Sequence, residues 1–507
     1  MNHAAAIQHA LDYLEQNLRE EIRVDDIAHA ANFSTSHFHA IFQRATGCTV
    51  AEHLRKRRLS CAALDLALSR RSILDIAVEY RFDSQEAFTR AFKRLYGITP
   101  GLFRRNRAGA RVSPRLGIYN PSTLTRHEPV PNPFASTERA PGRLLLTGVP
   151  KVGFDQAAPD QCPETVPFPS CLAAALRYLG EEYPWLPLEA HNRLWRLNYA
   201  NVHLLGATGM AFGLLWRPGW HRDNVDMLFI ADPRLIIDRA FCATGYSYEI
   251  IEKTGNVDSD ERIYRERVRE ALEQGRPVLA FGVVGPPECC LITGYDDHGA
   301  TVIGWSYFAD QPPFNREVEF ERSGQFRKRD WVRTTRSLVL LGAPTEQRFN
   351  LRETLEWALH VAETPTVMGR HAGLAAYDAW AEQLLDDSAF PLRDEAVLAQ
   401  RHQVHYVESL NLAECRAWAG QFLRHQAQAF PRVSAALLEA ADCYSAEHDL
   451  VWQMWELAGE HDPAHAHVRF ASPEIRRRTA ALIRKARELD ERATGCMKRA
   501  ISILAAH

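Results

Sequence analysis

Two places in this 507-residue chain combine residue types and spacings that can do chemistry. One is Cys171, at the start of an apolar helical stretch, FPSCLAAALRYLG (168–180). Free N–H groups and the dipole at a helix start lower a thiol pKa and can hold an oxyanion, so a cysteine there is a candidate nucleophile. Such a nucleophile needs an imidazole base and a third group to orient it. The other place is residues 22–105, where one pattern occurs twice. Asp26-Ile27-Ala28, Phe33-Ser34, Phe38, Phe42 and Gly47 are matched by Asp75-Ile76-Ala77, Phe82-Asp83-Ser84, Phe88, Phe92 and Gly97. The basic run Arg55-Lys56-Arg57-Arg58 lies between the copies and suits either phosphate contact or a solvated helix face.

The elements that would carry the duplicated pattern follow from its spacing. Ile7, Ala10, Leu11, Leu14 and Leu18 repeat at helical intervals across 4–20. A short helix is expected over 25–31, and Asn32-Phe33-Ser34 breaks it. Ser34 can cap a third helix over 35–45. Helix, tight turn and capped helix make a helix-turn-helix. The second copy repeats this with helices over 73–80 and 84–95 and a capping box from Asp83 to Glu86. Residues 50–69 read as one helix, a rod of about 30 Å. Successive major grooves on one DNA face lie about 34 Å apart. The four phenylalanines at helical spacing belong to cores rather than to base stacking.

Charge supports this division. The chain carries a net charge of –3, yet residues 1–110 hold 16 Lys/Arg against 12 Asp/Glu, which leaves an acidic remainder. The N-terminus lacks the basic start and apolar core of a signal peptide, and there is no run of 18 apolar residues. The ten cysteines form no CxxC or Cys/His ligand set, so neither zinc nor another metal nor a cofactor is expected. Reduced thiols fit the cytoplasm.

The stretches ILDIAVEYRFDSQEAFTRAFKRLYGITPGLFRRN (73–106) and FQRATGCTVAEHLRKRRLSCAALDLAL resemble the two helix-turn-helix units and linker helix of the bacterial AraC/XylS regulators. The resemblance implies that Thr35, Ser36, His39 and Ala40 face one groove and Gln85, Glu86, Thr89 and Arg90 the next. Arg90 would pair with guanine and Gln85 with adenine. Arg44, Arg55, Lys93 and Arg94 would meet phosphate. The small side chains of the first helix would read less sequence than the second, and Glu86 can equally serve only to cap its helix.

Further along, RPVLAFGVV (276–284) is an expected strand, and ECCLITGYDDHGATVIGWS (288–306) two strands about an Asp-His-Gly turn. Together with Cys171 and the Gly-rich LLGATGMAFGLLW (204–216), they resemble the papain-like bacteriocin-leader peptidases, and more closely the acyltransferase domain of the butirosin-biosynthesis protein H type. In those families the strand entering the Gly-Tyr-Asp turn begins with the catalytic histidine. Here that position is Glu288, and no acid stands near Gly304-Trp305, where the orienting residue is expected. His191, His203, His221 and His298 could substitute only if the fold carries one to Cys171. Cys289-Cys290 alternate along a strand and should face opposite ways. Residues 350–507 read as helices. Trp357, Tyr377, Trp380, Trp418, Tyr444, Trp452 and Trp455 serve there either as packing or as a cavity wall.

The expected architecture is therefore multidomain. An all-α double helix-turn-helix domain (1–108) leads through a linker (109–140) to a papain-like, cysteine-peptidase-related α/β domain (141–345) and an α-helical bundle (346–507). The expected function is a sequence-specific transcriptional regulator whose C-terminal body senses a small molecule, in a pocket that would include Cys171, Glu288, Tyr295 and Trp305. One alternative is a Cys171-dependent acyltransferase or amidohydrolase tethered to a DNA-binding domain. Another is a regulator controlled by a protein docked on the helical bundle. Double-stranded DNA is the expected partner, with a small-molecule effector, RNA polymerase and a second copy of the chain as further candidates, and no membrane.

Overall fold

The computed structural model describes residues 10, 13–14, 17–30, 33–35, 37–39, 42, 49–68, 71–96, 99–101 and 104 of the N-terminal part. Beyond it, residues 135–154, 164–181, 183, 185–190, 193–345, 349–391, 393–460 and 465–506 are described. The chain divides into two compact units, Met1–Asn120 with Tyr183–Asn198, and Pro121–Glu182 with Tyr199–His507.

In the first unit, α1 (Val24–Ala30), α2 (Val50–Leu68), α3 (Ile73–Glu79) and α4 (Gln85–Tyr96) follow in order. The sequence repeat is also a repeat of hydrogen bonds. The N–H of Phe33 donates to Ala28 O at 3.0 Å, and that of Phe82 to Ala77 O at 2.9 Å, closing the two tight turns. The N–H of Phe38 donates to Ser34 O, and that of Phe88 to Ser84 O. The Phe38–Phe42 and Phe88–Phe92 rings each lie 5.4 Å apart, tilted by 53° and 54°. All four rings are fully buried, as core residues should be. Two separate cores result. Val50 of α2 joins Leu14, Leu18, Ile27, Phe38 and Phe42, while Leu59, Ala62 and Leu66 of the same helix join Ile76, Tyr80, Phe88 and Phe92.

Helix starts in this unit follow capping chemistry. Ser72 Oγ accepts from the Asp75 N–H at 3.0 Å. The expected Asp83–Glu86 capping box is corrected: Ser84, one residue on, caps α4 and accepts from the Ala87 N–H at 3.1 Å. Trp185–Ala190 and Arg193–Asn198 form an antiparallel hairpin that groups with this unit.

The second unit begins inside the expected linker, because Ser136–Ala140 is strand β1, paired antiparallel with β2 (Arg143–Thr147). Chain order then gives α5 (Pro167–Tyr178), the hairpin just described (β3 and β4), α6 (Tyr199–Thr208), β5 (Leu215–Trp216), α7 (Pro233–Thr244), β6 (Tyr246–Glu252) and α8 (Val257–Glu273). Next come β7 (Val278–Phe281), β8 (Cys289–Asp296), β9 (Thr301–Trp305), β10 (Glu319–Phe320), β11 (Phe326–Arg329) and β12 (Ser337–Pro344). The main sheet runs β10-β11-β9-β8-β7-β12-β6, and β2 continues the row of β7 along β8. Its pairings are antiparallel, which makes the layer of the α+β kind. Two arginines and two acids clamp one side of this sheet. Asp296, the acid of the Gly-Tyr-Asp turn, accepts from Arg143 at 3.2 Å and Arg327 at 2.9 Å, and Glu321 accepts from the same two at 3.0 and 2.7 Å.

The remaining helices are α9 (Leu351–Glu363), α10 (Leu374–Leu385), α11 (Glu395–Ala429), α12 (Ser434–Ala458) and α13 (Pro473–Ala505). α11 packs on α12, α12 on α13, and α13 on α10, while α6 leans on α11. Gly206 makes that last approach possible, because a side chain there would strike the Phe422 ring.

A fully buried guanidinium lies at the centre of the helices. Arg416 of α11 donates to Glu447 of α12 at 3.0 Å, Asp490 of α13 at 2.8 Å and the Tyr377 hydroxyl of α10 at 2.7 Å. It also reaches the carbonyls of Ala211 at 2.8 Å and Gly213 at 3.1 Å. Arg416 and Glu447 are wholly inaccessible, so each charge depends on its partners rather than on water. Arg416→Met should therefore cost about 3–5 kcal/mol of body stability by stranding two acids, measured as a fall in the urea midpoint. A variant within 1 kcal/mol of the parent would show that the network contributes little.

Candidate nucleic-acid interface and the Cys171 region

On α4, Gln85, Glu86, Arg90, Lys93 and Arg94 are exposed and Thr89 is partly so, while Phe88 and Phe92 turn inward. The fold thus brings the expected second reading set to one face of one helix. Glu86 behaves differently from its neighbours. Its carboxylate is held below the usual range by its own backbone N–H and the Ser84 hydroxyl, so it serves the helix start.

In the first copy, His39 is exposed, and the Thr35 hydroxyl donates to Asp25 Oδ1 at 2.7 Å, tying it to α1. Ser36, Ala40 and Arg44 lie outside the described residues. Arg55 is exposed on α2. Arg58, from the same basic run, is committed to the fold: it donates to Leu18 O at 2.9 Å and Glu20 O at 2.7 Å. Arg81 adds a similar tie. It sits at φ +61°, a conformation unusual for a side chain larger than glycine, and its Nε donates to Arg19 O at 2.8 Å. Arg19 in turn donates to the Tyr80 hydroxyl at 3.1 Å and pairs with Glu79 at 3.0 Å. These arginines join the two halves outside their cores, a role the sequence pattern did not reveal.

In the body, α5 packs against β8, and Cys171 lies fully buried there. Its thiol donates to Cys289 O at 3.5 Å. Cys171 is the fifth residue of α5, a turn inside the helix rather than at its free N–H groups, and it meets the start of β8, which Glu288 immediately precedes. Burial, with Asp226 nearby, pushes the Glu288 carboxyl up to about 8. Gly304 faces the Leu291 carbonyl so closely that no side chain fits at that position. The expected pocket is only partly assembled. Trp305 pairs with Leu291 near this end of β8. Tyr295 lies six residues along the strand from Cys289, about 20 Å away, where its hydroxyl donates to Glu273 at 3.3 Å.

The candidate histidines go elsewhere. His203 is buried with its Nε2 3.3 Å from Ala243 O, and burial pushes its pKa down to about 4. His221 and His298 are exposed, the latter in the turn after β8. His191 lies outside the described residues. The neighbouring thiols are held protonated by burial, Cys289 well above the ordinary range and Cys290 at about 11. Of the seven aromatic positions expected to pack or line a cavity, Tyr377, Trp380, Trp418 and Tyr444 are fully buried, while Trp452 is 41% exposed. Trp216, which the sequence pattern did not single out, stacks on Trp380, and Trp220 meets Trp216 edge-on.

The fold and exposed faces of the first unit define a DNA-binding regulator with two helix-turn-helix units. A family model described as "Helix-turn-helix domain" matches residues 27–106. The chain is 41% identical over 105 residues to the Transposon Tn10 TetD protein of Escherichia coli, covering 21% of this chain and 76% of that one. It is 46% identical over 98 residues to the probable transcription factor PqrA of Proteus vulgaris, covering 19% and 80%. A transcriptional regulator from Chromobacterium violaceum, described as having an AraC-type DNA-binding domain, aligns at 26% identity and a TM-score of 0.20 over 21% of this chain and 94% of that structure. The chain belongs to the AraC family of helix-turn-helix transcriptional regulators and carries its sequence-specific DNA-binding domain at the N-terminal end. Among the described residues, no helix is long and apolar enough to cross a membrane.

Alkylation should follow the burial pattern. Iodoacetamide at pH 8 is expected to label the exposed Cys242 well before Cys171, Cys289 or Cys290. Peptide mapping that found Cys171 first would instead mark it as an activated thiol.

Proposed function

We propose that this protein is a ligand-responsive regulator in which α4 supplies most of the sequence reading and the larger body senses a small molecule. The observation that carries the DNA half is the shared rod: one helix holds two reader units, each with its own core. In this reading Gln85, Thr89 and Arg90 contact bases in one major groove, and Thr35, Ser36 and His39 those in the next. Arg44, Arg55, Lys93 and Arg94 contact phosphate. The tie between Thr35 and Asp25 supports giving the first unit the smaller share of the specificity.

The sensing half is supported by how much buried polar chemistry the body holds and how little of it assembles a nucleophile. Glu288 stands where papain-like enzymes need an imidazole, and a carboxyl cannot take both proton-transfer roles without matched geometry. Effector binding would act by its different affinity for DNA-competent and incompetent states. We further propose cytoplasmic action as a homodimer at promoters served by RNA polymerase. The free state of every described cysteine is consistent with that compartment.

The test begins with DNA selected from random sequence by the full-length protein. Arg90→Ala should lose roughly tenfold or more for the selected site, with relaxed preference at one base pair. Lys93→Ala should weaken selected and random DNA alike and lower the salt-dependence slope by about 1. Equal, sequence-independent losses for both variants would remove α4 from base reading.

A further inference from the structure

Six aromatic side chains in the body close into a ring. Trp216 stacks on Trp380 at 5.4 Å, Trp380 meets His405 at 5.3 Å, and His405 stacks on Phe470 at 4.5 Å. Phe470 meets Phe390 at 5.9 Å, Phe390 meets Trp220 at 5.3 Å, and Trp220 returns to Trp216 at 5.5 Å. The members come from β5, the loop after it, α10, the connection from α10 to α11, α11 and the short helix Ala466–Phe470. Only tertiary folding brings them together.

Such a ring could be ordinary core, but its polar atoms argue otherwise. Buried N–H and O groups in folded proteins are nearly always hydrogen-bonded. Here the indole N–H groups of Trp220 and Trp380 and both ring nitrogens of His405 are buried with no protein partner. One turn along α11 from His405, on the same face, Glu408 is fully buried, and neither carboxyl oxygen has a partner. Trp216 differs, since its N–H donates to Gln383 at 3.1 Å. Within the ring the orphaned groups are thus those of Trp220, Trp380 and His405.

The charge inventory names the missing partner. Arg416 acts on Glu408 but is already bound to Glu447 and Asp490, so Glu408 has no guanidinium of its own. The cations already touching the ring have other obligations. Arg476, 4.2 Å over Phe390, donates to Leu384 O and Asp387, and Arg401, 5.8 Å over Trp220, donates to Ala389 O. Aromatic faces attract cations, most strongly when desolvated.

We propose that this ring with Glu408 is the effector site of the body, and that it takes a small organic cation, an ammonium or amidinium on an apolar frame. The ammonium pairs with the Glu408 carboxylate and lies against indole faces, while the apolar frame fills the ring. The neutral imidazole of His405, pushed down to about 3 by burial and by His402, adds no competing charge. Glu408, pushed up to about 8 by burial, is protonated before the cation arrives and gives up that proton to bind it. The proposal rests on the sensor reading given above, and its test separates the two.

The experiment titrates the full-length protein with benzylamine and, as its neutral counterpart, benzyl alcohol. Tryptophan fluorescence follows occupancy, and calorimetry at pH 6.5 in two buffers of different ionisation enthalpy counts protons. Benzylamine should bind at least tenfold more tightly than benzyl alcohol and release about one proton. Glu408→Gln should lose that preference and the proton release with its thermal midpoint kept. Trp380→Phe, which keeps the ring but removes one N–H and the larger indole face, should weaken benzylamine severalfold. Equal affinity for the two probes, no binding of either, or full cation preference in a folded Glu408→Gln or Trp380→Phe variant would overturn the site, leaving its orphaned atoms to ordered water. If benzylamine binds as described while DNA affinity is unchanged by it and by larger amines, the site stands and the sensor reading falls.

Discussion

The DNA-binding unit depends on one shared helix. α2 gives Val50 to one core and Leu59, Ala62 and Leu66 to the other. Each helix-turn-helix is too small to bury much apolar surface alone, so each borrows a wall from this rod. Because a helix is stiff over this length, sharing it also fixes the spacing between the two reading faces. The arginines at 19, 58 and 81 then bond to carbonyls, a hydroxyl and a carboxylate across the halves, resisting rotation about the rod. Positive charge that the sequence offers to DNA is therefore divided: some holds the fold, while Arg55 on α2 and Arg90, Lys93 and Arg94 on α4 stay exposed.

The body is organised by a different constraint. Its helices converge on buried charge, and such charge is tolerated only when paired. Arg416 bonds Glu447 and Asp490 and ties α10, α11, α12 and α13 with the segment at Ala211–Gly213. Glu408, two turns away on α11, has no such partner. The contrast between acids bonded to a guanidinium and an acid with no bonded partner, one turn from a member of the aromatic ring, is what separates framework from candidate site.

Legibility in the sequence followed the range of the interactions. The helix-turn-helix units were readable because their determinants are local and duplicated: a Phe pair four residues apart, a serine before each reader helix, and an apolar stripe on α2. Capping was misread by one residue, since Asp83 and Ser84 are both competent caps and only backbone geometry selects Ser84. The strands around Asp297-His298-Gly299 were readable for the same local reason. What was not readable is long-range. Trp216 meets Trp380 across some 160 residues of chain, Arg416 finds its acids on two other helices, and Tyr295 is carried away from Cys171 by the length of β8. The close approach of Gly304 to the Leu291 carbonyl, which leaves no room for a side chain there, is set by the pairing of β8 with β9 and is likewise long-range.

The most direct measurement of the central claim is a hydroxyl-radical footprint of the full-length protein on its selected DNA. One rigid rod carrying two readers should protect two patches on the same face of the duplex, about one helical turn apart. Lengthening the spacing between them by five base pairs should abolish the outer one. A single protected patch, or two that tolerate the insertion, would contradict the account, because the halves would then read DNA independently of the helix that joins them.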